Sequence, residues 1–167
     1  MQKNKHTVFW GSLFLITVVL LSCKQAAYTT EDFLGIWDSS PVFGDSEVSV
    51  QISLRAHYKK DGAVVYSGQE VFKVGDRKAT VDFEDTSRWR IDGVYLIEET
   101  IDKNYFNYNG DIELINILKK NIEKERSQKD KTSKAKILNY QPRQKFDLLL
   151  DLGQEEKQIT FHFISKS

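Results

Sequence analysis

The sequence predicts a mainly β protein: a single antiparallel β-barrel or sandwich of eight to nine strands, with one inserted amphipathic helix near residues 111–126. Three observations predict it. Apolar and polar residues alternate with period two over many short runs, the pattern of strands with one dry and one wet face. Turn signals built on Gly, Asp and Pro separate these runs at close intervals. One segment switches to the near-3.6 spacing of a helix with a single apolar stripe.

The clearest run is Glu47 to Tyr58. Val48, Val50, Ile52, Leu54, Ala56 and Tyr58 point one way, and Glu47, Ser49, Gln51, Ser53, Arg55 and His57 the other. Lys60-Asp61-Gly62 is a turn, with glycine supplying positive φ, and the β-rich run Ala63 to Val74 completes a hairpin. Gly75-Asp76 turns again. From Lys78 to Glu84, Ala79, Val81 and Phe83 share one face, and Trp89 and Ile91 continue the pattern up to the turn at Asp92-Gly93. Val94 to Ile101 is a further strand. The polar cluster Asn107 to Asp111 can cap a helix. From Asp111 to about Arg126 the stripe Ile112, Ile115, Leu118 and Ile122, widened by Leu114 and Ile117, predicts an amphipathic helix packed on the sheet. Residues 127–134 read as a polar loop. Strands over Ala135–Tyr140, Lys145–Leu152 and Lys157–Ile164 close the chain.

Length and charge bound the class. The 167 residues suit one domain. The 24 Lys+Arg balance 24 Asp+Glu, so nothing marks an overall basic nucleic-acid binder, and no nucleic acid is expected as a partner. Residues 119–136 are the local exception, with eight basic and three acidic residues. Such a run is ordinarily the solvated face of a helix and its loop, although it also suits anionic headgroups or an acidic partner.

The amino terminus has its own logic. Lys3 and Lys5 precede Val8 to Leu21, fourteen residues that are apolar or small apart from Ser12 and Thr17. That length fits the apolar core of a secretory signal and falls short of the roughly 20 residues of a membrane-spanning helix. The small-x-small pattern of an ordinary signal-cleavage site is poor, because Lys24 precedes Ala26 by two places and Gln25 precedes Ala27. Instead the apolar core ends in Leu20-Leu21-Ser22-Cys23, which resembles the bacterial lipobox. The resemblance implies that the Cys23 thiol carries a diacylglyceryl group, that the chain is cut between Ser22 and Cys23, and that the new amine is acylated. It also implies an exported protein held to a bacterial membrane through acyl chains on Cys23. In sorting of the enterobacterial kind, Lys24 after the cysteine implies the outer membrane, facing the periplasm. Cys23 is the sole cysteine, so neither an internal disulfide nor a cysteine-rich zinc site can form. The expected organisation is a signal over 1–22, a lipidated tether over 23–32 and a β domain over 33–167. Residues 24–32 reach at most about 30 Å when extended, which would hold the domain close to the bilayer.

The β domain begins with Phe33-Leu34-Gly35-Ile36-Trp37. Gly-x-Trp in the first strand of an all-β chain resembles the lipocalin signature. A turn with Asp61-Gly62 and a mid-domain Trp89-Arg90-Ile91 strand running on to Leu96 are similar to bacterial lipocalin-like lipoproteins. This resemblance implies a barrel with Trp37 packed across its closed end. Gly35, Trp37 and Trp89 are then candidate barrel-end or ligand-lining residues, with a small apolar molecule as the ligand. Bulk alone also suits both tryptophans to a core.

No catalytic residue, metal ligand set or cofactor is expected. His57 and His162 fall on wet faces, and no Gly-x-Ser-x-Gly, His-Glu-x-x-His or phosphate-cradling glycine loop occurs. Glu98 and Glu99 are adjacent, so on a strand they face opposite ways and cannot work as a pair. Asp82, Glu84 and Asp85 read as a solvated strand end. Two non-enzymatic roles remain: a membrane-anchored binder of a small apolar ligand, or a structural or interaction lipoprotein that presents residues 111–134 to another envelope protein.

Overall fold

A computed structural model describes residues 28–126, 132–153 and 155–165. The signal segment, the Ser22–Cys23 bond and Cys23 itself lie outside these residues. The elements run α1 (Thr30–Phe33), β1 (Gly35–Ser39), β2 (Val42–Gly44), β3 (Val48–Tyr58), β4 (Ala63–Val74), β5 (Arg77–Asp92), β6 (Tyr95–Gly110), α2 (Ile112–Arg126), β7 (Thr132–Gln141), β8 (Lys145–Asp151) and β9 (Glu156–Ser165).

From β3 to β9 each strand pairs antiparallel with the next. β1 pairs with both β3 and β9, which closes eight strands into a lipocalin-like barrel; β2 is an extra strand beside β3. Closure removes the open edges that an antiparallel sheet would otherwise present. The seam depends on Gly35. Its φ is +128°, and a Cβ there would stand 2.6 Å from the Ser165 carbonyl oxygen and 2.8 Å from the Phe163 ring. Only a residue without a side chain lets β1 approach β9 so closely.

The strands are longer than the sequence pattern predicts. The runs ending at Glu84 and resuming at Trp89 form the single strand β5, and β6 extends past Ile101 to Gly110. The reason lies in the β5–β6 pairing. Its register shifts between Thr80 and Asp82 and again between Thr86 and Ser87. At each shift β6 carries one residue more than β5 and its alternation breaks, as a β-bulge does. Asn107, at the first of these shifts, has a φ of 53°. The helix cap narrows to one residue of the predicted cluster: Asp111 Oδ1 accepts the Glu113 and Leu114 N–H groups at 3.0 Å. Two further differences concern segments read as loop or tether. Thr132, Ser133 and Lys134 belong to β7, and Thr30–Asp32 form most of α1, whose Phe33 is fully buried.

Two apolar clusters form. The larger gathers Phe33, Trp37, Tyr58, Val64, Trp89, Phe146 and Phe161 at the α1 end. The smaller joins Leu114, Ile115 and Leu118 of α2 to Ala79 and Val81 of β5, with Phe72 and Tyr105 beside them. Along β5, Ala79 and Val81 share a face with Trp89. α2 therefore lies against the inward-facing side of the barrel wall, toward the end opposite α1.

Candidate functional site

The interior changes character along the strands. At the α1 end it is sealed by aromatic packing. Trp37 and Phe146 meet edge-on at 4.7 Å between centroids, Tyr58 and Trp89 at 4.9 Å, and Phe146 stacks on Phe161 at 4.9 Å. Trp37 Nε1 donates to the Phe33 carbonyl at 2.8 Å and Trp89 Nε1 to the Ala63 carbonyl at 3.0 Å. Both indole N–H groups are thus satisfied by backbone. Trp37 is fully buried and Trp89 5% exposed, and both lie in the aromatic cluster of the sealed end. Gly35, also buried, sits at the seam below.

Farther along, Phe83 and Ser87 are still buried, but many other inward positions are only half-buried. They include Ile52 and Leu54 on β3, Tyr66 and Glu70 on β4, Asp85 on β5, and Glu98, Lys103 and Tyr105 on β6. Inward orientation follows from register. Tyr66 stands opposite Ala56 and Asp85, and Glu98 opposite Trp89. Directly opposed residues share a face of the sheet. The result is a recess between the two apolar clusters, with aliphatic residues on the β3 wall and polar groups on the β4–β6 wall.

The floor of the recess is a ring of three oxygens. The Tyr58 and Tyr66 hydroxyls lie 2.8 Å apart, Tyr58 donates to Glu98 Oε1 at 2.9 Å, and Tyr66 donates to the same oxygen. Burial pushes the Glu98 carboxyl above its ordinary range, and the bonds from Tyr66 and Tyr58 offset part of that rise. Burial, followed by the nearby Glu98 charge, pushes both phenols well above theirs. They remain protonated donors at neutral pH. Above the ring, Lys103 Nζ stands 4.0 Å from Asp85 Oδ2 and 5.2 Å from the Tyr105 ring centroid. Tyr105 donates to Glu70 Oε1 at 3.3 Å.

Asp85 thus differs from the solvated strand end the sequence suggests: its side chain is 16% exposed and faces inward. Glu98 and Glu99 do face opposite ways, which is what puts Glu98 inside, against an exposed Glu99. Sequence reasoning passed over the ring, although the signal was present. Glu98 is two residues from the core residue Leu96, and Asp85 two from the core residue Phe83, so each carboxyl continues an apolar face.

On the outside, His57 and His162 stand on different strands, β3 and β9. His162 is exposed and stands opposite Asp38, whose carboxylate Arg55 grips at 2.9 and 3.1 Å. His57 is half-buried on β3, opposite Ile36. A cleft of about 430 Å³ opens between the β1–β2 connection and β9, bordered by Ser39, Ser40, Pro41, Lys157 and His162. Ser39 Oγ beside it donates to the Thr160 carbonyl at 2.6 Å, so this hydroxyl is held by backbone. Among the described residues, no three His, Asp or Glu side chains group in a way that could hold a metal ion, and no helix is long and apolar enough to cross a membrane. No protein-family model matches the chain, and no curated protein is significantly similar to it.

Proposed function

We propose that this is a bacterial lipoprotein, anchored through acyl chains on Cys23, whose barrel holds a small, largely apolar molecule without acting on it chemically. The observation that carries the binding half is the half-buried inner face between the two apolar clusters. A barrel of eight strands has an interior just wide enough to be filled by its own side chains or to hold one small ligand. Here the α1 end is filled, whereas inward residues of the middle such as Ile52, Leu54, Tyr66 and Lys103 stay half-buried, which supports the reading. A concave site with apolar walls and a few convergent polar groups is the usual form of a small-molecule site. The anchoring half rests on Leu20-Leu21-Ser22-Cys23 coming after a charged start and an apolar stretch. In that reading the signal over 1–22 is removed, and Lys24 favours the outer membrane, on its periplasmic side. Two or more acyl chains hold a protein stably, whereas one holds it only marginally.

Native mass spectrometry of the protein taken from its own membrane tests both halves. The expected mass lacks residues 1–22, includes acyl chains on Cys23, and shows a further small-molecule adduct after mixing with a lipid extract. Cys23→Ser should abolish cleavage and membrane retention; a variant still cleaved and still membrane-held overturns the anchor. A second reading, a protein-interaction lipoprotein, is favoured by the outer side of α2, where Ile112 is 68% exposed and Ile117 45%. A clean mass with one stoichiometric protein partner would support that reading instead.

A further inference from the structure

Resting on the binding role just proposed, we infer that the ligand enters the recess through the side of the barrel, at the cleft between β2 and β9. The two ends are already occupied. Aromatic packing around Trp37, Tyr58 and Phe146 fills the α1 end. Toward the other end, α2 packs on inner positions of β4, β5 and β6, with Phe72, Ala79, Val81 and Tyr105. An axial route along that wall would have to part α2 from the sheet. In that cluster α2 meets none of β2, β3 or β9.

On the β2–β9 side the wall is held differently. β1 pairs with β9 only from Ile36 to Asp38, opposite Ser165 to His162. Past that point β2 follows β3, and among the described residues β9 from Glu156 to Phe161 pairs with β8 alone. The cleft of about 430 Å³ lies between them. Side chains span it in place of a backbone ladder. Ser39 Oγ donates to the Thr160 carbonyl at 2.6 Å, and Lys157 Nζ stands 5.6 Å from the Phe43 ring centroid. A ladder parts only when several hydrogen bonds break together, whereas a side chain swings aside by a rotamer change. The cleft also borders the interior. Ile159 on one side of it is 8% exposed and belongs to the larger apolar cluster. Pro41 on the other side accepts the Ile52 N–H at 2.9 Å, which sets it beside an aliphatic residue of the recess. Phe43 is half-buried and packs on the same cluster as Ile159. Phe43 and Lys157 are thus the pair that an entering molecule parts. Beyond them Ile52 and Leu54 offer it an apolar wall.

Stopped-flow fluorescence tests the route. The full chain sits in phosphatidylcholine nanodiscs, the probe is N-phenyl-1-naphthylamine, and the signal from empty nanodiscs is subtracted. Two exposed positions are substituted and coupled to a bulky maleimide: Ser40→Cys on the cleft border, and Asp76→Cys at the β4–β5 turn, on the α2 side. Wild type treated with the same reagent is the reference. The Ser40→Cys adduct should slow association and dissociation alike, about tenfold, with Kd changed by less than about twofold, because an obstacle on the route raises the barrier between two unchanged end states. The Asp76→Cys adduct should change neither rate. Lys157→Ala, which removes a contact across the cleft and adds no bulk, should raise both rates. Unchanged rates for the Ser40→Cys adduct, or equal slowing by both adducts, overturn the lateral route and leave the ligand-binding role standing. Weaker affinity with association unslowed overturns it too, since the cleft is then where the probe sits. A wild type that takes up no probe overturns both readings.

Discussion

At the scale of single residues, Glu98 is the position where sequence, burial and charge meet. It lies two places after Leu96 on the same face, so the alternation that builds the core also carries a carboxyl inside. Burial raises its pKa above the ordinary 4.5. Between the ordinary and the raised value the folded state binds more protons at Glu98 than the unfolded chain does, so stability falls as pH rises through that window. Glu98→Gln removes the titration. In urea denaturation, the unfolding free energy of the variant should gain on that of the wild type as pH rises from about 4.5 toward neutrality. A difference that is constant with pH would mean that burial does not raise the Glu98 pKa. Trp37 and Trp89 illustrate the other kind of residue. Each buries a large ring and gives its N–H to a backbone carbonyl, at Phe33 and Ala63, so neither needs a ligand to be satisfied. Their bulk was legible in the sequence. The carbonyls that receive their protons were not, because those depend on where α1 and the start of β4 come to rest.

Among elements, β1 and α2 decide what the barrel is. β1 closes it, and does so at Gly35. Gly35→Ala would place a methyl group against the Ser165 carbonyl and the Phe163 ring at a φ that L side chains rarely adopt. A loss of more than about 1 kcal/mol of stability is expected, with faster amide hydrogen exchange in β1 and β9. Unchanged exchange in β9 would show that the seam does not depend on Gly35. α2 acts on the opposite end. Leu114 is fully buried against Ala79 and Val81, so Leu114→Ala should cost about 2–5 kcal/mol if the helix is part of the cooperative unit. A loss confined to faster exchange within α2, with the global denaturation midpoint unmoved, would mark the helix as separately unfolding. The helix was plain in the sequence, but its stripe was drawn too wide: Leu114, Ile115, Leu118 and Ile122 are buried, whereas Ile112 and Ile117 face outward and are exposed. The full length of β6 was not plain, since its bulges against β5 break the period-two signal that a strand is recognised by.

For the whole molecule, the proposed anchor at Cys23 would constrain how the barrel is presented. α1 and the start of β1 belong to the sealed end, which therefore lies nearest in the chain to Cys23, while α2 and the recess lie toward the other end. By itself the sequence determined the β class, the number of strands to within one and the helix, and it alone carries the lipobox-like segment on which the proposed anchor rests. These are properties of local spacing and composition, and local spacing survives in the unfolded chain. Only the tertiary structure decided that β1 reaches both β3 and β9, that α2 covers inner rather than outer wall, and that Tyr58, Tyr66 and Glu98 share one ring of oxygens. The ring alone joins residues 40 positions apart. Such contacts depend on register and closure, in which a shift of one residue turns every side chain of a strand to the opposite face.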